Sequence, residues 1–70
     1  MFNKGVRTKD EEHVGYVMKE TNHTIVIFGH YDYRLDVPKS KIIDVGRNII
    51  LDMEFAEVFN YRVSRDALIA

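Results

Sequence analysis

Three histidines, a run of three carboxylates and two serines are the side chains with the plainest capacity for chemistry: His13, His23 and His30, Asp10, Glu11 and Glu12, and Ser40 and Ser64. Imidazole is the commonest protein ligand for transition metals, but a metal needs several donors converging on one point. His13 opens an alternating run, His23 and His30 fall in turns, and only His30 and Asp32 are close enough to share a strand face. That spacing predicts no metal centre. A nucleophilic serine needs a base and an orienting acid in contact, and neither serine lies in a glycine-flanked elbow. The carboxylates of "DEEH" sit in a hydrophilic turn, where solvent gives no cause for a raised pKa. There is no cysteine, which excludes disulfides, thiolate metal sites and thiol nucleophiles. The expectation is a protein with no catalytic residues, no metal and no cofactor.

Binding chemistry has more to work with. Arg34, Lys39, Lys41 and Arg47 gather around the turns at Pro38 and Gly46, with Tyr31 and Tyr33 nearby for stacking, a combination that small barrels use to hold single-stranded RNA. Against it stand a formal net charge of −1, from 10 Lys and Arg against 11 Asp and Glu, and the scatter of Asp32, Asp36 and Asp44 among the cations. RNA binding is therefore the second expectation, and lysines that merely keep strand edges soluble explain the same residues. The aromatic set Phe28, Tyr31, Tyr33, Phe55, Phe59 and Tyr61 has spacings that suit inward positions. Where a small core cannot cover them all, the remainder forms an apolar patch of the kind that meets a protein partner. Phe55, Val58, Phe59 and Tyr61 are the candidate protein interface, and the first expectation is a non-catalytic interaction or adaptor module.

The elements that must position these residues read mostly as strands. "KGVRTK" alternates weakly, and "HVGYVMKE" places Val14, Tyr16 and Met18 on one face with Gly15 inside the run. A glycine inside a strand costs conformational entropy, so Gly15 marks a bulge, a bend or another backbone passing close by. "TIVIF" is apolar on both faces, Ile25 and Ile27 one way and Val26 and Phe28 the other, so it is buried on both or buried on one and covered on the other, with the C-terminal segment as the candidate cover. In "YRLDV", Tyr33, Leu35 and Val37 point inward, and Pro38, which cannot donate a ladder hydrogen bond, ends the strand at a corner. "IIDV" and "IILD" pair through "GRN", where Gly46 or Asn48 supplies positive φ. The period then changes. Phe55, Val58 and Phe59 lie at i, i+3 and i+4, opposite Glu54, Glu57 and Asn60, which predicts an amphipathic α-helix from Met53 to Arg62 with Asp52 as N-cap. The fold class expected is all-β: a small barrel of about six short antiparallel strands with one short C-terminal α-helix.

Seventy residues make one domain, expected over residues 1–63 with a tail over 64–70, and the 46% hydrophobic content is enough for a packed core. A domain this small without staples gains stability by self-association, so a homo-oligomer is also expected. No apolar run has signal-peptide or membrane-spanning length, so the expectation is a cytoplasmic protein without membrane insertion.

"EHVGYV", "TIVIF", "DVPKSKI" and "DVGRNIIL", in that order, resemble the PRC-barrel family over Val6 to Leu51. The resemblance matches Gly15 to the glycine of the family's second strand and Pro38 to the proline that opens its corner. The segment from Met53 lies outside the family pattern and looks like the ending of short stand-alone archaeal members. The first hairpin differs, because "KDEEH" lacks the Asp-Gly that the family commonly carries there. The resemblance implies a non-catalytic docking or adaptor barrel of the kind found in the H subunit of photosynthetic reaction centres and in a ribosome maturation factor. It carries over no functional residues.

Overall fold

The computed structural model describes residues 1–29 and 33–63, and more than half of these lie in seven short strands. These are β1 (Gly5–Thr8), β2 (His13–Glu20), β3 (Thr24–Gly29), β4 (Arg34–Pro38), β5 (Ile42–Val45), β6 (Asn48–Leu51) and β7 (Arg62–Val63). They form one sheet in the order β5-β6-β1-β2-β3-β4-β7. The tail expected over 64–70, the His30 and Asp32 pair, and Tyr31 lie outside the described residues.

The all-β expectation holds, and the barrel is corrected in three ways. There are seven strands rather than six; β1 and β6 run parallel; and the sheet is not closed, since β5 shares no ladder with β4 or β7 among the described residues. The sheet is nevertheless strongly rolled. Laid flat at about 4.8 Å per strand, β5 and β4 would stand five spacings, roughly 24 Å, apart. Only Lys39–Lys41, a single 3-10 turn, joins them, and a link of that length reaches at most about 14 Å. Pro38 is therefore a corner in a literal sense. At φ −62° and ψ 140° it ends β4 opposite Thr24 and sends the chain to the other edge of the sheet. The Lys39 N–H donating to His23 O (2.8 Å) and the Asp52 N–H donating to Lys41 O (2.7 Å) hold the crossing at both sides.

Bulges supply the bending. Against β1, Val6 pairs with Gly15 and Arg7 with His13, which leaves Val14 as the extra residue of β2; against β3, Met18 is extra. Each bulge resets the in-out alternation. Strict alternation put Val14, Tyr16 and Met18 on one face, whereas the structure buries Val14 and Val17 and leaves Tyr16 54% and Met18 39% exposed. Ile43 is the extra residue of β5.

The core is one cluster of Val6, Val14, Val17, Ile25, Ile27 and Leu35 with Val37, Ile49, Leu51, Met53 and Val58. The C-terminal segment covers one side of the sheet, packing Val58 into the core on the face of Ile25 and Ile27, and leaves Phe28 on the other face 39% exposed. On that outer face the guanidinium of Arg34 lies over the Phe28 ring, 4.8 Å from its centre.

The predicted α-helix is a 3-10 helix, Phe55–Tyr61. Its repeat of 3.0 residues puts Phe55, Val58 and Tyr61 on the inner side, Glu54, Glu57 and Asn60 outside, and Phe59 one position off the buried line. Val58 is accordingly 1% and Phe59 43% exposed. Asp52 is not the cap. Glu54 precedes the helix without a side-chain cap, and the Phe55 N–H instead donates to Asp10 Oδ2 (3.4 Å) from the β1–β2 turn. The "GRN" connection also differs. No described glycine has positive φ, and the left-handed residues are Asn3 (φ 65°) and Glu11 (φ 66°). Among the described residues no helix is long and apolar enough to cross a membrane.

Candidate functional site: an apolar pocket beneath the 3-10 helix

The bulge at Val14 turns that side chain inward, the sharp approach of β2 to β3 leaves Gly29 without bulk beside it, and Leu35 alternates inward from β4. The 3-10 helix crosses above them. Between the two layers lies a partly open cavity of about 120 Å³, with Val14, Gly29 and Leu35 on the sheet side, Phe55, Val58 and Phe59 on the helix side, and Tyr33 between. Its walls are almost wholly apolar. A cavity of roughly 150 Å³ lined by aliphatic and aromatic groups stays dry and takes a benzene ring, so this one has room for about one bulky apolar side chain.

The rim is aromatic and cationic. The Tyr33 and Phe59 rings meet edge to face with centres 5.9 Å apart, and Phe59 meets Phe55 the same way at 5.5 Å. Arg62, exposed at the C-terminal end of the helix, places its guanidinium 5.3 Å from the Tyr33 ring centre. Arg62 follows the helix directly as the first residue of β7, and the Tyr33 ring meets both it and Phe59.

A polar latch holds the helix in place. Thr8, the one buried polar residue among the described residues, donates from its hydroxyl to Asp10 Oδ1, while Asp10 Oδ2 accepts the Phe55 N–H. The Thr8 hydroxyl, with the Phe55 amide adding to it, holds the Asp10 carboxyl below the ordinary carboxylate range. The Lys9 N–H donates to Met53 O (3.2 Å) beside it.

Three of the four residues expected at a protein interface, Phe55, Val58 and Phe59, line this pocket, and Tyr61 packs against the core instead. The four cations do not converge in one place. Arg34 and Lys39 flank β4 at opposite ends, and Lys41 and Arg47 flank β5 likewise. Lys39 is engaged by Glu20, Nζ to Oε2 at 2.6 Å, which together with the N-terminal amino group 3.5 Å from Oε1 lowers the Glu20 pKa. Of the structural positions, Gly15 and Pro38 serve as described, and Gly46 lies in the β5–β6 turn, where its N–H donates to Asn48 O (3.0 Å) and its carbonyl accepts from the Lys4 ammonium. His13 meets the Tyr16 ring edge to face at 5.2 Å, His23 is an exposed turn residue, and no three metal-ligating side chains converge among the described residues.

Sequence reasoning missed Val14, Gly29, Leu35 and Arg62 as parts of a site, and placed Tyr33 with the cations or in the aromatic set rather than at this pocket. Only the interior glycine hinted at the bend that creates it. Fold and site together define a small all-β domain with a partly open apolar pocket. In comparisons with known proteins, the chain matches no family model, no curated protein and no solved structure.

Proposed function

We propose that this chain is a non-catalytic, cytoplasmic protein-interaction module that receives a bulky apolar side chain of a protein partner in the pocket beneath its 3-10 helix. The observation that carries the reading is the cavity itself, about 120 Å³, apolar and partly open, beside a phenylalanine left 43% exposed. Apolar recesses flanked by exposed aromatic and arginine side chains are where binding energy concentrates at protein interfaces. The motif order that resembles the PRC-barrel family points to the same docking role. The test is capture from native lysate by the intact chain and by Phe59→Asp, each with and without nuclease. A protein retained after nuclease and lost with Phe59→Asp supports the reading; equal capture by both forms refutes it. Sedimentation over a concentration series shows whether the partner is a second copy.

A second reading, a small RNA-binding fold, is favoured by one observation, Arg34 stacked over Phe28 on the face that also exposes Tyr16. Changing Arg34, Lys39, Lys41 and Arg47 to glutamate separates the two. An RNA binder loses a salt-sensitive ligand, and a module that docks through the pocket keeps its partner.

A further inference from the structure

The pocket is apolar inside, but its rim is not neutral. Arg62 is exposed, lies over Tyr33, and has no carboxylate within ion-pair distance among the described residues. The guanidinium lies 5.3 Å from the ring centre on an exposed residue, and a guanidinium can donate two parallel hydrogen bonds to a carboxylate. The acidic residues nearest to it along the chain, Glu57 in the helix and Glu54 just before it, are exposed together with Asn60 on the outward line, while Arg62, after the helix, meets the Tyr33 ring. The cation is thus set beside the mouth of the cavity and the anions are turned from it. Tyr33 touches both Phe59, which forms one wall, and Arg62, so an anchor in the cavity and a charge at Arg62 are separated by little more than one ring.

We infer that the pocket reads a two-part signal, a bulky apolar side chain next to a carboxylate, with the cavity taking the first and Arg62 the second. The carboxylate is that of an acidic residue next to the apolar anchor in the partner's chain. This rests on the pocket being a receptor, as proposed above, and adds the charge that its ligand carries.

Four blocked peptides test it on the full chain by amide NMR shifts of Tyr33 and Phe59: acetyl-Gly-Phe-Asp-Gly-amide, the same peptide with Asn for Asp, the same with Ala for Phe, and acetyl-Gly-Phe with a free carboxyl terminus. The expected result is that the Phe-Asp peptide binds about three- to fivefold more tightly than the Phe-Asn peptide, a preference of the size a partly exposed ion pair supplies. That preference disappears in Arg62→Gln, which binds the Phe-Asp peptide no more tightly than the Phe-Asn peptide. Tighter binding of the free-carboxyl peptide than of the Phe-Asp one overturns the assignment of the carboxylate to an acidic residue. Equal binding of the Asp and Asn peptides overturns the inference and leaves the apolar receptor standing; no shift with any peptide that contains Phe overturns both. Loss of the response as protein concentration rises, with dimer mass in sedimentation, overturns it in favour of a second copy of the chain as occupant.

Discussion

Gly15 and Gly29 face each other across the β2–β3 ladder, and a Cβ added to Gly15 would stand 2.0 Å from the carbonyl oxygen of Phe28 and 2.8 Å from the Gly29 Cα. No side chain fits at that distance, and the obstacle is backbone, which cannot step aside without moving β3. Gly15→Ala is expected to cost about 3 kcal/mol, the upper range for overpacking, out of a total of roughly 4–10 kcal/mol for a domain of this length. Gly5→Ala is the control. Its new methyl meets the Asn48 side-chain oxygen at 2.8 Å, which can rotate away, so the cost stays below about 1 kcal/mol. Urea midpoints of the two variants decide the matter, and equal values contradict the account.

Glu11 holds a left-handed φ of 66° while its N–H donates to Thr8 O at 2.9 Å. It occupies a turn position that a glycine adopts without strain. A left-handed residue with a side chain costs roughly 1–2 kcal/mol, and glycine returns part of that gain as unfolded-state entropy. Glu11→Gly is expected to raise stability by about 0.5–1 kcal/mol, a thermal midpoint a few degrees higher. Glu11→Val, β-branched at the same φ, is expected to lower it. A midpoint that falls for the glycine variant rejects the strain account.

Asp10, through the Thr8 hydroxyl first, and Glu20, through the Lys39 ammonium first, both have carboxyl pKa values lowered from the ordinary 3.8 and 4.5. A lowered folded-state value means that the ionised form favours the fold. The contribution is complete above the ordinary value and is lost as pH falls through the lowered one. The thermal midpoint is therefore expected to decline as pH drops from about 5 towards 3, and to decline less in the double variant Asp10→Asn, Glu20→Gln. Parallel pH profiles for the two proteins would show that these carboxylates do not contribute.

Val58 is buried in the core and also lines the cavity. Val58→Ile adds one methylene with empty volume beside it, so stability is expected to change by less than about 1 kcal/mol, while any ligand that enters the pocket loses affinity. Val58→Ala enlarges the cavity and is expected to destabilise by about 1–3 kcal/mol. A denaturation curve and a binding titration on the same samples separate the two effects; unchanged binding by Val58→Ile places the docking surface elsewhere.

The sequence-level reading succeeded where the determining interaction lies within a few residues. Pro38 ends β4 because the imino acid itself lacks the N–H, and Leu35 and Val37 point inward because no bulge interrupts β4. It failed at β2, where two bulges reset the alternation, and over Phe55–Tyr61, where Phe59 fits an α-helical stripe equally well on paper. A bulge is a mismatch between two strands, so neither strand alone contains it. The choice of a 3-10 over an α-helix accompanies a start held by Asp10, forty-five residues upstream.

What this chain's residues determined unaided is local: a strand-rich domain, its turn positions, the corner at Pro38 and the candidate apolar set that contains Phe55, Val58 and Phe59. The placement of β6 beside β1, the rolling that sets Val14 and Leu35 beneath the helix, and the pairing of Tyr33 with Arg62 were decided only in three dimensions. The physical reason is that a pocket is empty space between parts distant along the chain, and its shape follows from how those parts come together rather than from any one of them.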